Sequence, residues 1–318
     1  MADYPEVVYW LTLINESGLK LNLVKPIIQR WCISDGRPLS GLMELSQLEI
    51  SSTFGLQDEE AKQILAMSGK LRQQAEAFKQ WQSQGIVPII RTDPRYPSRF
   101  AHTLPPAKQP LLLWGQGNLN LLNEPMVGML GSEDSSEAGS EFVSEMMNAL
   151  VSEDVGLVSG YGRGLDRTTF EAMLATDGGR AVAVLPIGLA AFAKTTSKLT
   201  PALEAQKIAL VSPFGPNTTY QEKLAEARNL LIDHLALALL ILHTDEESQK
   251  RGTAGLDRGI PVFVGLSDTA GNRTLIDQGA LLLTDVGEVV EMVQQAMIDA
   301  TMLDEAQETT PTTMPSAE

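Results

Sequence analysis

The first third of the chain carries apolar residues at helical spacing. Leu42, Leu45, Leu48 and Ile50, then Ala61, Ile64, Leu65, Met67 and Leu71, recur at intervals that gather side chains on one face of a helix, and short turns such as Ser34-Asp35-Gly36-Arg37-Pro38 separate the sets. Residues 1–84 therefore read as a small helical module ending in a long helix through Trp81. At Gly85 the period changes. Residues 85–90 (GIVPII) form a short strand-like run, Asp93-Pro94-Arg95-Tyr96-Pro97 punctuates the chain, and residues 105–114 (PPAKQPLLLW) make a proline-rich connection. Residues 85–106 read as linker and short strand, with a boundary near 106.

Beyond it, short apolar runs alternate with amphipathic segments: residues 125–130, 155–160, 180–188, 207–212, 235–242, 260–266 and 280–283. Near-continuous apolar strands between amphipathic helices predict a parallel sheet covered on both faces, a doubly wound α/β domain over residues 107–300. The stretch 301–318 is polar, acidic and rich in Thr and Pro, and is expected to lack fixed structure.

Charge narrows the functional classes. Across 318 residues, 24 Lys and Arg face 40 Asp and Glu, a net charge of −16, the wrong sign for a protein that grips phosphate with its whole surface. Any nucleic-acid contact must be local. Residues 1–106 hold 11 basic and 11 acidic side chains, residues 107–300 hold 13 and 25, and residues 301–318 hold 0 and 4. Cys32 stands alone, and His102, His234 and His243 show no zinc-ligand spacing, so neither a metal nor another cofactor is expected. The first ten residues do not read as a signal peptide, and the run Leu235 to Leu242 is far shorter than the roughly 20 residues that span a bilayer. A cytoplasmic chain without membrane contact is expected. No Gly-x-Ser-x-Gly elbow or ordered Ser/His/Asp set stands at the strand ends, so no catalytic residue is assigned and an enzyme is not expected.

In a doubly wound sheet, ligands bind beyond the carboxyl ends of the strands. After the first strand of this domain comes Gly131-Ser132-Glu133-Asp134-Ser135-Ser136, then a helix from about Glu137. Small and hydroxyl residues at a helix start suit a phosphate; Glu133 and Asp134 oppose one, and could instead cap the helix. After the second strand comes Ser159-Gly160-Tyr161-Gly162-Arg163-Gly164-Leu165-Asp166-Arg167, with a helix from near Asp166. Its glycines let a ligand approach the backbone, and Arg163 or Arg167 can donate paired hydrogen bonds to a phosphate; the lesser alternative is a tight turn with solvated arginines. Asp166 follows a glycine-rich loop as a base would, but an N-cap role explains it at least as well, and it is counted with Glu133 as a modulating carboxylate. Arg228 on a later helix, with Lys250 and Arg251 after the next strand, are candidates to join Arg163 around one pocket; the bland alternative is solvated helix surface.

These segments together resemble the DprA/Smf family of DNA-processing proteins. Asp93-Pro94-Arg95-Tyr96-Pro97 is similar to its D-P-x-Y-P, Gly117-Asn118 with Leu121-Leu122 to its G-N-x-x-L-L, and residues 159–166 to its S-G-x-A-R-G-I-D. Gly131-Ser132, Arg228-Asn229, Ser248 with Thr253-Ala254, and Gly271-Asn272 through Gly279-Ala280 follow its remaining motifs in order. The resemblance implies an extended Rossmann domain behind a module of SAM or helix-hairpin-helix type. It implies single-stranded DNA binding, loading of a RecA-type recombinase, and a homodimer. Gly131, Ser132, Ser159, Gly160, Gly162, Arg163, Gly164, Arg167, Arg228, Asn229, Ser248, Lys250, Arg251 and Thr253 would then form the phosphate site. Four departures weaken it: Glu133 replaces the arginine of G-S-R, Leu230 the second arginine of R-N-R and Gln249 a small residue, and the helix after Thr253-Ala254 is about two residues short of the family pattern.

Three readings remain at this point. One is a single-stranded DNA-binding recombination mediator with a partly degraded phosphate site. Another is a diverged Rossmann sensor or enzyme that takes a phosphorylated nucleotide, and the third is an interaction scaffold without a ligand.

Overall fold

A computed structural model describes residues 4–131, 140–194, 197–266 and 268–308. The chain forms two compact units, the first made of Met1–Asn123, Leu185–Thr200 and Leu210–Leu224, the second of Glu124–Val184, Pro201–Ala209 and Ala225–Glu318.

In the first unit, helices Glu6–Glu16, Leu21–Ile28, Gln47–Phe54, Asp58–Ala66 and Leu71–Gln82 build the expected helical module, with Val8, Trp10, Leu11 and Leu13 fully buried. Ser46 starts the third helix through a reciprocal capping box with Glu49, and Gly55, at φ +65°, ends it in the left-handed region that glycine tolerates. Ile50 is buried as its spacing implies, whereas Leu48 is 77% exposed. Two residues of helix turn the side chain through about 200°, so Leu48 cannot share the face of Ile50.

Strand β1 (Val87–Ile90) pairs antiparallel with β2 (Leu112–Gly117), Val87 opposite Gly115 and Ile90 opposite Leu112. The proline-rich stretch thus ends as a strand, because Leu112, Leu113 and Trp114 have a buried surface to fill. The Tyr96 hydroxyl donates to the Pro110 carbonyl at 2.7 Å, and Gln109 Nε2 donates to the carbonyls of Phe100 and Leu104 at 2.9 Å each. These bonds fasten the connection to the unit, and the boundary expected near 106 falls inside a unit that continues to Asn123.

Asp93 offers a pH test of this connection. Burial opposes its ionised form, but the side-chain and backbone hydrogen bonds from Arg95 and the guanidinium charge overcome it, so the carboxyl titrates below its usual range. A folded-state pKa below the unfolded one contributes stability above the unfolded value of about 3.9 and loses it as pH falls through the folded value. Asp93→Asn should therefore melt below the wild type at pH 6, and the gap should close toward pH 3. A gap independent of pH would dismiss the ion pair as its cause.

In the second unit, β3 (Met126–Gly131), β4 (Gly156–Ser159), β5 (Ala181–Val184), β7 (Leu239–His243), β8 (Val262–Val264) and β9 (Leu281–Leu282) lie parallel in the order β5-β4-β3-β7-β8-β9; the intervening β6 (Ile208–Ser212) begins in this unit and ends in the first. Leu157, Val158, Val182, Leu240, Ile241 and Phe263 have no exposed surface, the signature of strands covered on both faces. The chain moves from β3 toward β5 on one side and from β7 toward β9 on the other. The reversal between β3 and β7 is the switch point at which doubly wound sheets open a crevice.

Two expectations change here. The apolar run 235–242 is not one strand: Leu235 closes the helix Glu222–Leu235, and β7 begins only at Leu239. Between them, Leu237 N donates to the Met126 carbonyl at 2.7 Å and Gly128 N to that of Ala238 at 2.9 Å, which sets the β3/β7 register. Residues 301–308 continue the helix Val286–Glu308, because Met, Leu, Ala, Gln and Glu there favour helix; residues 309–318 lie outside the described ones. Among the described residues no helix is long and apolar enough to cross a membrane.

Candidate phosphate-binding site

The chain leaves β4 through a shaped turn. The Ser159 hydroxyl, almost fully buried, accepts from the Tyr161 amide at 3.1 Å. Tyr161 takes φ +49°, a conformation uncommon for a bulky residue, and its surroundings hold it there. Phe170 meets the ring edge-on at 5.0 Å between centroids, the Arg167 guanidinium lies 5.1 Å over it, and its hydroxyl donates to Glu171 Oε1 at 3.5 Å. Burial, then the Glu171 charge, raises the phenol pKa. Gly164, at φ +67° and ψ −134°, a region essentially closed to other residues, delivers the chain into the helix Leu165–Ala175.

Arg228 reaches this turn from the helix Glu222–Leu235. A side chain at Gly160 would overlap the Arg228 guanidinium, and its Cβ would stand 2.9 Å from Asp166 Oδ2; a Cβ at Gly162 would stand 3.2 Å from the same oxygen. Two glycines whose value in the sequence lay in ligand approach also make room for the protein's own arginine and carboxylate. Arg228 Nη1 and Asp166 Oδ2 are 4.0 Å apart, with side chains 12% and 22% exposed. A partly buried guanidinium attracts an anion more strongly than a solvated one, and Asp166 is one carboxylate with which such an anion would compete. Arg163 and Arg167 are exposed on the same turn and helix, and Lys250 is exposed on the helix Glu246–Asp257.

The other expected ligands are placed differently. Gly131 ends β3, and a side chain there would collide with Leu165, so its smallness serves packing. Ser132 and Glu133, with the helix start at Glu137, lie outside the described residues. Arg251 does not join Arg163: its guanidinium donates to Asp233 at 3.0 and 2.7 Å, with side chains only 14% and 6% exposed. A carboxylate buried that deeply requires a paired cation, and nothing around Asp233 in the sequence marks it for that role. The Ser248 hydroxyl is engaged in the capping box with Asp245, Asn229 Nδ2 donates to Glu247, and Thr253 Oγ1 donates to Gln278 at 2.7 Å.

One further side chain is absent from the expected site residues, although its motif is visible in the sequence. Asn272 is 2% exposed, accepts from the Thr244 hydroxyl and donates to the Gly265 carbonyl at 2.6 Å, which ties together the chain leaving β7 and β8. Among the described residues no group of three or more metal-ligating side chains occurs.

Known proteins share this architecture. DNA processing protein DprA of Streptococcus pneumoniae is 30% identical over 190 residues, 57% of this chain and 66% of its own length. Protein Smf of Escherichia coli is 28% identical over 232 residues, 70% of this chain and 61% of its own. The matched stretches thus span less than two thirds of either relative. The X-ray structure of the Streptococcus pneumoniae protein superposes with a TM-score of 0.67 at 22% identity, covering 89% of this chain and 97% of that one. The structure of DNA processing protein A from Helicobacter pylori gives a TM-score of 0.53 at 18% identity, covering 66% of this chain and 96% of that one. The model of the DNA recombination-mediator protein A family matches residues 88–294, well over half the chain, and the protein belongs to that family.

Proposed function

We propose that this protein binds single-stranded DNA through the turn 159–164 and acts as a recombination mediator. Arg228, seated over Gly160 beside Asp166, carries the reading: it is a largely buried cation at the end of a parallel strand, with Arg163 and Arg167 exposed nearby. The Helicobacter pylori relative, whose structure concerns its single-stranded DNA binding mode, supports the same ligand. On this reading the partners are a RecA-type recombinase and a second copy of the chain, the setting is the cytoplasm, and no catalytic step is assigned.

The net charge of −16 favours a second reading, in which the Arg228 site takes a small phosphorylated nucleotide and the acidic surface turns polymers away. Competition separates the two. A labelled oligo-dT should bind saturably in fluorescence anisotropy and resist an excess of thymidine monophosphate. Displacement by the mononucleotide at concentrations comparable to the oligonucleotide would favour the second reading.

A further inference from the structure

Lys25 and Gln29 stand one helical turn apart, on the helix Leu21–Ile28 and the π-helical turn Gln29–Ser34 that continues it. Both reach the same end of the β1/β2 pair. Lys25 Nζ donates to the carbonyls of Ala107 and, at 3.4 Å, Gln109, just before β2; Arg91, the residue after β1, donates from Nη1 to Gln29 Oε1 at 3.0 Å. Lys108, exposed, sits between the two residues whose carbonyls hold Lys25. Two cations therefore rest on acceptors that are neutral carbonyls and an amide, and Lys108 places a third in the adjoining loop. Asp93, two residues from Arg91, gives its carboxylate to Arg95 in a two-pronged contact at 2.9 and 2.6 Å.

Burial and then the Arg91 charge lower the pKa of Lys25, and burial lowers that of Arg91, so the two like charges are near each other and partly shielded from water. Neutral amides would fasten the helix to the strand ends at less cost. A half-buried cation pair is favoured once an anion joins it, and it is found here in a chain that has 40 carboxylates available. The ammonium keeps one hydrogen beyond its two carbonyl bonds, and the guanidinium keeps donors beyond Gln29. A π-helical turn at Gln29 adds weight, since such turns are rare and concentrate at functional sites.

We propose that Lys25, Arg91 and Lys108 form a second phosphate-binding site, built within the first unit and distinct from the Arg228 site. Its phosphate chemistry stands on this geometry alone; that the phosphate belongs to a nucleic-acid strand rests on the proposed single-stranded DNA binding.

Amine labelling of the full chain, read by peptide mass spectrometry, tests it with two probes, oligo-dT and inorganic pyrophosphate. Lys25 and Lys108 should label several-fold more slowly with saturating oligo-dT, in the wild type and in Arg228→Ala alike. Protection by pyrophosphate at equal phosphate concentration would assign the site to free phosphate; protection by oligo-dT alone assigns it to a strand. In the double variant Lys25→Gln/Lys108→Gln, which keeps an amide donor at position 25, the slope of log affinity against log salt should fall by about 1.4, since each phosphate of a single strand that a cation neutralises adds about 0.7. Unchanged labelling with both probes, while Arg228→Ala still weakens oligonucleotide binding, overturns this site and leaves the Arg228 site standing. Protection together with an affinity indifferent to Arg228→Ala keeps this site and overturns the other, and no labelling change with no binding overturns both.

Discussion

Replacing Gly160 by alanine should cost the protein its oligonucleotide affinity while leaving it folded. The backbone at Gly160 is not in the left-handed region, so the methyl group itself is conformationally acceptable. The obstacle is the Arg228 guanidinium, which occupies the position the new Cβ would take, with Asp166 Oδ2 only 2.9 Å away. The arginine is the flexible partner and gives way, leaving the site while the fold persists. Removing a charge-assisted hydrogen bond of about 1.5 to 3 kcal/mol predicts roughly a ten- to hundredfold weaker complex. Combining Gly160→Ala with Arg228→Ala should weaken binding little beyond Arg228→Ala alone, because both changes remove the same interaction. A Gly160→Ala protein that binds oligo-dT like the wild type would remove Arg228 from the site.

The largest expected effect on stability belongs to Asp233. Its carboxylate takes Arg251 through two guanidinium nitrogens, and its backbone carbonyl accepts from Arg258 Nη2 at 3.1 Å. Burial lowers the pKa of Arg258, and Asp233 counters that shift. Asp233→Ala leaves Arg251 buried without its partner and closer in effect to the like charge of Arg258. Breaking a buried pair from one side costs about 3 to 5 kcal/mol, which should lower the urea midpoint with little change in m-value. Asp233→Ala/Arg251→Met should recover much of that stability, since an apolar replacement of both partners removes the unpaired charge. Equal midpoints for the single and double variants would show that the destabilisation comes from packing and not from charge.

The layered α/β architecture is legible in the sequence because parallel strands buried on both faces leave apolar runs that turns cannot mimic; β4, β5, β6 and β8 fall inside such runs. The run 235–242 misleads because a helix end and a strand start are equally apolar when both are buried, and only the bonds of Leu237 and Gly128 across to β3 separate them. Leu48 misleads for the opposite reason, since a two-residue offset from Ile50 on a short capped helix decides exposure. At the site, residues 159–164 announce a special turn through their glycines, yet nothing local says that Gly160 answers to Arg228, 68 positions later. Arg251 looks like Arg228 as a basic residue on a helix, and its pairing with Asp233 depends on how two helices face each other. Long-range partners of charged side chains leave no local pattern.

Whether Arg228 meets a nucleic-acid phosphate is tested most directly by anisotropy of a labelled oligo-dT across a salt series, for the wild type and Arg228→Ala side by side. Saturable wild-type binding that weakens with salt is expected, and for Arg228→Ala a lower affinity with a slope shallower by about 0.7. Absence of wild-type binding at low salt, or an Arg228→Ala curve that overlays the wild type, would contradict that role.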